Sequence, residues 1–498
     1  MGSVNDALAE PPAPAPKLQF SARSVANRIL RASTIYGLAN FGIRGLNFLL
    51  LPLYTHYLSP ADYGMIALAE TLALFMLQVL NMGFDASMQR LYFQHVEPPE
   101  ELNSYVGTVL KFAFAVEAAF LILVFTTGPW LEHTLWPHAP VPFLYVGMAL
   151  TTAATTQFFT YRLVLCQAQQ RPKIYAILAF VSFALTASSS VLLVAVARKG
   201  VEGMLGGKLL AALICFLIAA VLAWPALRSR FHWRHVRETI AIGLPLVPHA
   251  LMAYGLVSAD RFILAHYRDL REVGIYSVGY TMGMVMSMVT MSLNQAWAPI
   301  YYDTARKGDH GSRVLGKLCS RILIVLVAIA CFGALLARFF ILHFLDKRFE
   351  PAARLVPWIV GAYLMHSAFS MFSLASMQAR RTKWIMGASF MALTLNTLLN
   401  FALIPRLGMY GAAYATFFAY VLEAVVMYAI AQRIFRLDYE LPRTLAAFGL
   451  FFAALTVTQV QWSPALRPFV TGGTAVACLG LLALLAVNGI TPLRRLLK

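Results

Sequence analysis

Apolar stretches long enough to cross a bilayer follow one another along nearly the whole chain, and no connecting loop is much longer than about fifteen residues. A spanning helix needs ~20 mostly apolar residues, and in lipid each stretch must satisfy its own backbone hydrogen bonds, as a helix does. The predicted fold is therefore an all-α polytopic membrane protein of about fourteen transmembrane helices. The spans fall near 31–57, 65–90, 104–128, 141–165, 173–197, 203–224, 239–265, 274–301, 318–342, 352–378, 384–404, 409–431, 442–461 and 466–489. With 59% hydrophobic and 12% charged residues, a soluble globular chain is excluded.

The spans repeat. His56-Tyr57-Leu58-Ser59-Pro60-Ala61-Asp62-Tyr63-Gly64-Met65 returns 210 residues later as His266-Tyr267-Arg268-Asp269-Leu270-Arg271-Glu272-Val273-Gly274-Ile275. Gln167-Ala168 returns as Gln378-Ala379, and Gly200-Val201-Glu202-Gly203 as Gly408-Met409-Tyr410-Gly411, at nearly the same offset. Three matches at one spacing predict a duplicated bundle of membrane helices. Paired bundles around a midplane site are the usual build of a secondary transporter. The predicted divisions are a disordered cytoplasmic tail (1–22), a first lobe of spans one to six (23–224) and a cytoplasmic linker (225–238). A second lobe of spans seven to twelve (239–435) and spans thirteen and fourteen with the C-terminus (436–498) complete the chain.

Of the 40 Lys and Arg residues, 26 fall in segments that are inside if the N-terminus is cytoplasmic, ten fall outside and four lie within or at the edges of spans. This bias predicts both termini in the cytoplasm. The net charge of +18 then reflects topology, and basic residues scattered over many short loops leave no nucleic-acid footprint. The Ala/Pro-rich start has no apolar core and reads as a tail, not a signal peptide. The five cysteines form neither a spaced metal set nor a disulfide framework.

The short loops leave little room for the extended domain that a membrane polymerase or sugar ligase would use. There is no Walker A sequence, no His-Glu-x-x-His site and no Gly-x-Ser-x-Gly elbow. His133 and His138 flank an outside loop with Trp130 and Trp136 and read as an interfacial cap. Neither a metal site nor a cofactor is expected.

Polar residues inside the spans carry the functional signal. Ser33, Gly37, Asn40, Arg44 and Asn47 share one helical face. Arg44 lies about 18–20 Å from either end of its span at ~1.5 Å per residue, too deep for easy snorkelling. It either binds an anion in a cavity or is a structural arginine satisfied by helix-end carbonyls or a carboxylate. Gln78, Asn81, Asp85 and Gln89 form a second stripe, with Glu70 two turns earlier. Glu70 and Asp85 are candidates for coupling to an ion, unless Asp85 simply pairs with Arg44 or Arg90. Pro245 and Pro248 predict a bend at the start of span seven. Asp260-Arg261 near its outer end reads equally as a gate, as part of the cavity or as interfacial. Span eight offers Met282, Met284, Met286, Met288 and Met291, followed by Asn294, Gln295 and Trp297. The methionines read as adaptable packing or a sliding wall. Glu117, Asn396, Asn400 and Glu423 read as structural, and Lys208 as snorkelling.

The order Leu38-Ala39-Asn40-Phe41-Gly42, Leu58-Ser59-Pro60-Ala61-Asp62-Tyr63-Gly64 and Arg90-Leu91-Tyr92-Phe93 resembles the start of the bacterial polysaccharide or oligosaccharide flippases. Ser258-Ala259-Asp260-Arg261-Phe262 and Val273-Gly274-Ile275-Tyr276-Ser277 are similar to the second half of the same family. That family belongs to the multidrug/oligosaccharidyl-lipid/polysaccharide superfamily. The resemblance implies a V-shaped pair of six-helix lobes plus two C-terminal helices, in the bacterial inner membrane. It implies alternating access that carries an undecaprenyl-diphosphate-linked repeat unit to the outer leaflet, for use by a polymerase and co-polymerase. Spans one, two, seven and eight would line the cavity, with Arg44, Asn40, Asn47, Arg261, Asn294 and Gln295 as cargo-binding residues and Glu70, Asp85 and Asp260 as coupling candidates. Arginine suits a diphosphate because it does not titrate. The chain lacks the cluster of deep arginines of the lipid II flippases, which points toward an exopolysaccharide or O-antigen unit as cargo. The competing readings are a cation-coupled drug or small-solute antiporter of the same superfamily, a membrane glycosyltransferase or polymerase, and a channel or scaffold.

Overall fold

A computed structural model describes residue 42, residues 48–95, 98–135, 141–305 and 308–459, and positions 472–474, 476 and 480. Among the described residues every regular element is a helix and no strand occurs. A helical segment, 48–57, leads into α1 (Pro60–Leu80), α2 (Phe84–Tyr92), α3 (Pro99–Leu135), α4 (Phe143–Ala168), α5 (Pro172–Val191) and α6 (Gly200–Leu222). After a short turn of helix at Trp224–Leu227 come α7 (Trp233–Gly243), α8 (Val247–Tyr267), α9 (Leu270–Gly283), α10 (Val285–Ala305) and α11 (Gly308–Phe344). The last elements are α12 (Val356–Gln378), α13 (Lys383–Leu407), α14 (Met409–Ile434) and α15 (Leu441–Gln459).

Among the described residues, nine helices are long and apolar enough to cross a membrane, and a tenth span is supplied by α7 and α8 taken together, which bend by 50° at their junction. Pro245 and Pro248 sit at that junction, as the sequence predicts. The polytopic helical class is thus the observed one. Span thirteen appears as a shorter apolar helix, Leu441–Ala454. Predicted span four is α4, a 26-residue helix with five threonines. The hydroxyls of Thr151, Thr152, Thr155 and Thr160 bond to carbonyls one turn back, so polar residues are accommodated without leaving the helix. Most of spans one and fourteen lies outside the described residues. The outer faces of the helices present large apolar side chains such as Ile122, Leu123, Val221 and Leu398. A soluble protein would bury them, whereas lipid is their natural solvent.

The duplication is visible in the caps. Ser59 and Asp269 have nearly the same backbone angles (φ −75 and −76, ψ 162 and 164), and each accepts from the backbone N–H three residues on. At the other end, Gln170 and Arg380 take positive φ (53 and 56). Arg171 N–H bonds Cys166 O at 2.9 Å, and Arg381 N–H bonds Ser376 O at 2.8 Å, the same helix-ending turn in each half.

Packing joins α4, α5 and α6 in the first half and α12, α13 and α14 in the second. Between the halves, α1 crosses α9. Gly64 and Gly274, equivalent positions in the repeat, make that crossing possible. A Cβ on Gly64 would lie 2.0 Å from Leu270 O, and one on Gly274 would lie 1.8 Å from Pro60 O. At the same end of the bundle Arg348 donates to Thr55 O and His56 O, both at 3.3 Å, and Tyr63 meets Phe349 edge to face. Arg348 is steadied by Asp346, whose carboxyl it holds below the usual carboxylate range by hydrogen bonding. At the opposite end α7 lies on α2 and α3 of the first half, while α8 packs on α13 and α1. The bend between α7 and α8 is therefore the point where the chain passes from one half to the other.

Candidate functional site

Glu70 on α1 is not a lone carboxylate. Lys208 of α6, which the sequence places near a membrane surface, instead donates to Glu70 Oε1 at 2.5 Å. The two side chains are 34% and 25% exposed, so water or a ligand reaches the pair. An ionic pair within spans is favourable where it faces protein or water and costly where it faces lipid.

The second-span stripe is broken. Gly83, at φ 70, adopts the left-handed conformation that glycine tolerates and separates α1 from α2. Asn81 and Asp85 still meet across the break, Nδ2 to Oδ2 at 3.1 Å. Gln157 of α4 donates to Asp85 Oδ1 (3.1 Å) and to Asn81 Oδ1 (3.0 Å), and Tyr161 OH donates to Asn81 Oδ1 (3.1 Å). The partners of Asp85 are thus amides, and no ion pair to it is formed among the described residues. Gln89 turns away and bonds Gln167.

In the second half Asp260 is sealed. Its carboxylate accepts from Tyr276 OH and from the Arg261 backbone N–H (2.8 Å), shares a hydrogen bond with Thr416, and lies 3.7 Å from Arg261 Nη1. Asn396 and Asn400, both buried on α13, extend the cluster: Asn400 donates to Asn396 at 2.9 Å, and Asn396 reaches Thr416 at 3.5 Å. Arg261 lies over the rings of Tyr276 and Tyr280, 5.9 and 4.6 Å from their centres, and donates to Val257 O. This desolvated cation–π arrangement holds the guanidinium firmly. Of the span-eight residues, Asn294 is half-buried and Trp297 is buried. The methionines divide, with Met282 and Met286 in the core and Met291 exposed, which is packing on one side and a free face on the other.

Two of these groups approach each other where α8 packs on α1. Tyr254 of α8 lies within electrostatic reach of both Arg261 and Glu70, so charges carried by α1 and α8 meet there. Asn40, Arg44 and Asn47 lie outside the described residues, as do the side chains of Gln295, His249, His133 and His138. A cavity of about 350 Å³ lined by Arg268, Arg271, Glu272 and Arg406 sits at the end of the second half and includes none of the predicted site residues. Sequence reading missed Lys208, Gln157, Tyr161, Tyr276 and Thr416 as partners. Each joins its partner from a separate helix, Tyr161 bonding Asn81 and the others a carboxylate, and no local spacing marks such contacts.

The family described as "polysaccharide biosynthesis protein" matches residues 29–305, more than half of the chain. "Lsg locus putative protein 1" of Haemophilus influenzae is 22% identical over 289 residues, 56% of this chain and 67% of its own length. An "uncharacterized membrane protein" of the same organism is 20% identical over 330 residues, 64% of this chain and 77% of its own. Among solved structures, lipid II flippase MurJ in an inward closed conformation superposes with a TM-score of 0.70 at 13% identity, covering 91% of this chain and 98% of that one. A multidrug resistance MATE family transporter in an inward-facing conformation gives a TM-score of 0.55 at 12% identity, covering 84% and 95%. At these identities the likeness is one of fold.

Proposed function

Because the chain belongs to the polysaccharide biosynthesis protein family, we propose that it is a flippase carrying an undecaprenyl-diphosphate-linked oligosaccharide repeat unit across the bacterial inner membrane by alternating access. The observation that carries this reading is charge held within the spans of both halves: the half-exposed Glu70–Lys208 pair in the first and the Asp260–Arg261 pair in the second, on helices α1 and α8 that pack together. A cargo with a diphosphate head and a polar sugar needs such an interior, and its lipid tail needs an opening between two lobes. Arg44 and Arg261 are the candidates for the diphosphate, with Asn40, Asn47, Asn294 and Gln295 for the sugar. The lobes are 23–224 and 239–435, both termini face the cytoplasm, and a polymerase and co-polymerase receive the cargo for exopolysaccharide, capsule or O-antigen assembly. The protein does no chemistry on its cargo.

The driving force is an ion gradient or the membrane potential, read by Glu70, Asp85 or Asp260. One charge moved through 100 mV is worth ~2.3 kcal/mol, enough to bias a two-state equilibrium. In the native host, deletion should stop polymer export and accumulate the lipid-linked repeat unit. Wild-type protein should restore export, and Arg44→Ala should not, at equal protein level. Normal export by the deletion strain would refute the reading. Cationic-dye transport in proteoliposomes without movement of the lipid-linked sugar would favour the antiporter instead.

A further inference from the structure

Where α7 lies on the first half, three side chains point at one another. His95 follows α2, and His235 and Glu238 share one face of α7, three residues apart. His95 Nε2, His235 Nδ1 and Glu238 Oε2 all lie within 4.8 Å of one another. Nε2 of His95 is 3.3 Å from the Glu238 oxygen, and Nδ1 of His235 is 3.8 Å from it. The two histidines are only 5% and 6% exposed, yet none of these three atoms has a hydrogen-bond partner. Buried polar atoms are nearly always satisfied, and three orphans facing one point mark the place of an ion or water.

The surroundings fix which atoms are offered. His95 Nδ1 meets Glu101 Oε1 at 3.0 Å; with the ring proton on Nδ1, Nε2 offers its lone pair toward the Glu238 carboxylate. In that tautomer two acceptors face each other and a cation would join them. The other oxygen of Glu238 is held by Arg234 Nε at 2.7 Å, which aims Oε2 inward. The His95 ring stacks on buried Tyr105 and meets His235 edge-on, so both imidazoles are held in place. A carboxylate behind a ligating imidazole is the usual second shell of a zinc site. Zinc bonds of ~2.0–2.2 Å in a tetrahedron set ligand atoms about 3.4 Å apart. The shortest separation here already matches, and the others close by side-chain rotation. A proton on His95 would bridge one gap, whereas a metal ion bridges all three. Glu238 is the most exposed of the three, at 30%, and provides the way in for the ion and for a water as fourth ligand.

Against the expectation that the chain holds no metal, we propose that His95, His235 and Glu238 form a site for a divalent transition metal, zinc by its ligand types, that fastens α7 to the first half. It ties down the arm that enters the 50° bend between the halves, so occupancy fixes one side of the hinge. The site stands independently of the cargo, because its test needs no transport.

Full-length protein in detergent, stripped with a chelator, is titrated with Zn2+ alone by calorimetry, and with Co2+ alone by visible absorption. The wild type should bind one ion per chain, show the absorption of four-coordinate cobalt, and melt at a higher temperature with zinc than without. His235→Ala should weaken zinc binding by at least 100-fold and abolish the cobalt spectrum, and Glu101→Gln should weaken it by ~10–100-fold through the His95 ring. Glu238→Gln, at a half-exposed position, keeps the test available should a histidine variant fail to fold, and should also lose the zinc-dependent rise in melting temperature. Absence of stoichiometric binding by the wild type, or binding unchanged in His235→Ala and Glu238→Gln, would overturn the proposal.

Discussion

Glu70 with Lys208, and Asp260 with Arg261, are both acid–base pairs within spans, one in each half, yet they are built in opposite ways. Lys208 and Glu70 are 138 residues apart in sequence, on different helices, and are 25% and 34% exposed. Asp260 and Arg261 are neighbours on α8, are 1% and 11% exposed, and are enclosed by Tyr276, Tyr280 and Thr416. In the first pair each partner can be exchanged for water, an ion or a cargo group at little cost. In the second, separating the charges strands one of them in protein. One pair is open to water in this structure, and the other is enclosed by protein.

The largest expected effect tests the sealed pair. Asp260→Ala leaves a buried guanidinium without its counter-charge, and removal of one partner from a buried pair costs ~3–5 kcal/mol. Thermal unfolding in detergent should show a large drop, partly recovered in the double variant Asp260→Asn, Arg261→Gln. An unchanged melting curve would break the contrast.

A smaller effect is expected at the crossing. Gly64→Ala puts a Cβ 2.0 Å from Leu270 O, and relieving such overpacking costs ~1–3 kcal/mol. Spin labels at the exposed Tyr57 and Tyr267 should report a longer separation, and Asp260 should become open to carbodiimide. An unchanged separation would mean that the crossing does not control access to the second pair.

Smaller still is the stability cost of Glu70→Gln or Lys208→Met, within ~1 kcal/mol as for other solvent-accessible pairs. Function should respond more than stability. In proteoliposomes, collapse of the proton and sodium gradients should slow wild-type translocation, and Glu70→Gln should remove that sensitivity if the accessible pair is the coupling group. Retained sensitivity in Glu70→Gln, with loss in Asp85→Asn, would move the role to the amide-held carboxylate. The mildest probe leaves the sequence untouched. A zero-length carbodiimide should join Glu70 to Lys208 and leave Asp260 unmodified, read by mass spectrometry of the cleaved chain.

The helical, polytopic class was legible because apolar length is a local property, and so was the bend at Pro245 and Pro248. The duplication was legible because caps are local too: Ser59 and Asp269, and the turns after Gln167 and Gln378, carry their chemistry within a few residues. The break at Gly83 was not read, since one glycine in a polar stripe looks like part of the face it interrupts. Lys208 looked like a snorkelling residue because its partner is remote. His95 was invisible as a ligand for the same reason, although His235 and Glu238 at three residues' separation on an amphipathic helix were a signal that could have been used. Contacts between halves are written in pairs of positions that no window contains.

Gly64 and Gly274 touch, and each is the other's duplicate. A residue that meets its own copy across an approximate two-fold axis is the signature of an isologous interface, the kind made by two identical subunits. The crossing of α1 and α9 thus has, inside one polypeptide, the geometry that two identical subunits make at such an axis. In a homodimer every substitution strikes both sides of the axis at once, and only small residues fit at an axis this close. Within one chain the two sides vary independently. The two glycines match because the crossing leaves no room for a Cβ, whereas away from it the halves differ, one holding a half-exposed lysine pair and the other a tyrosine-walled arginine.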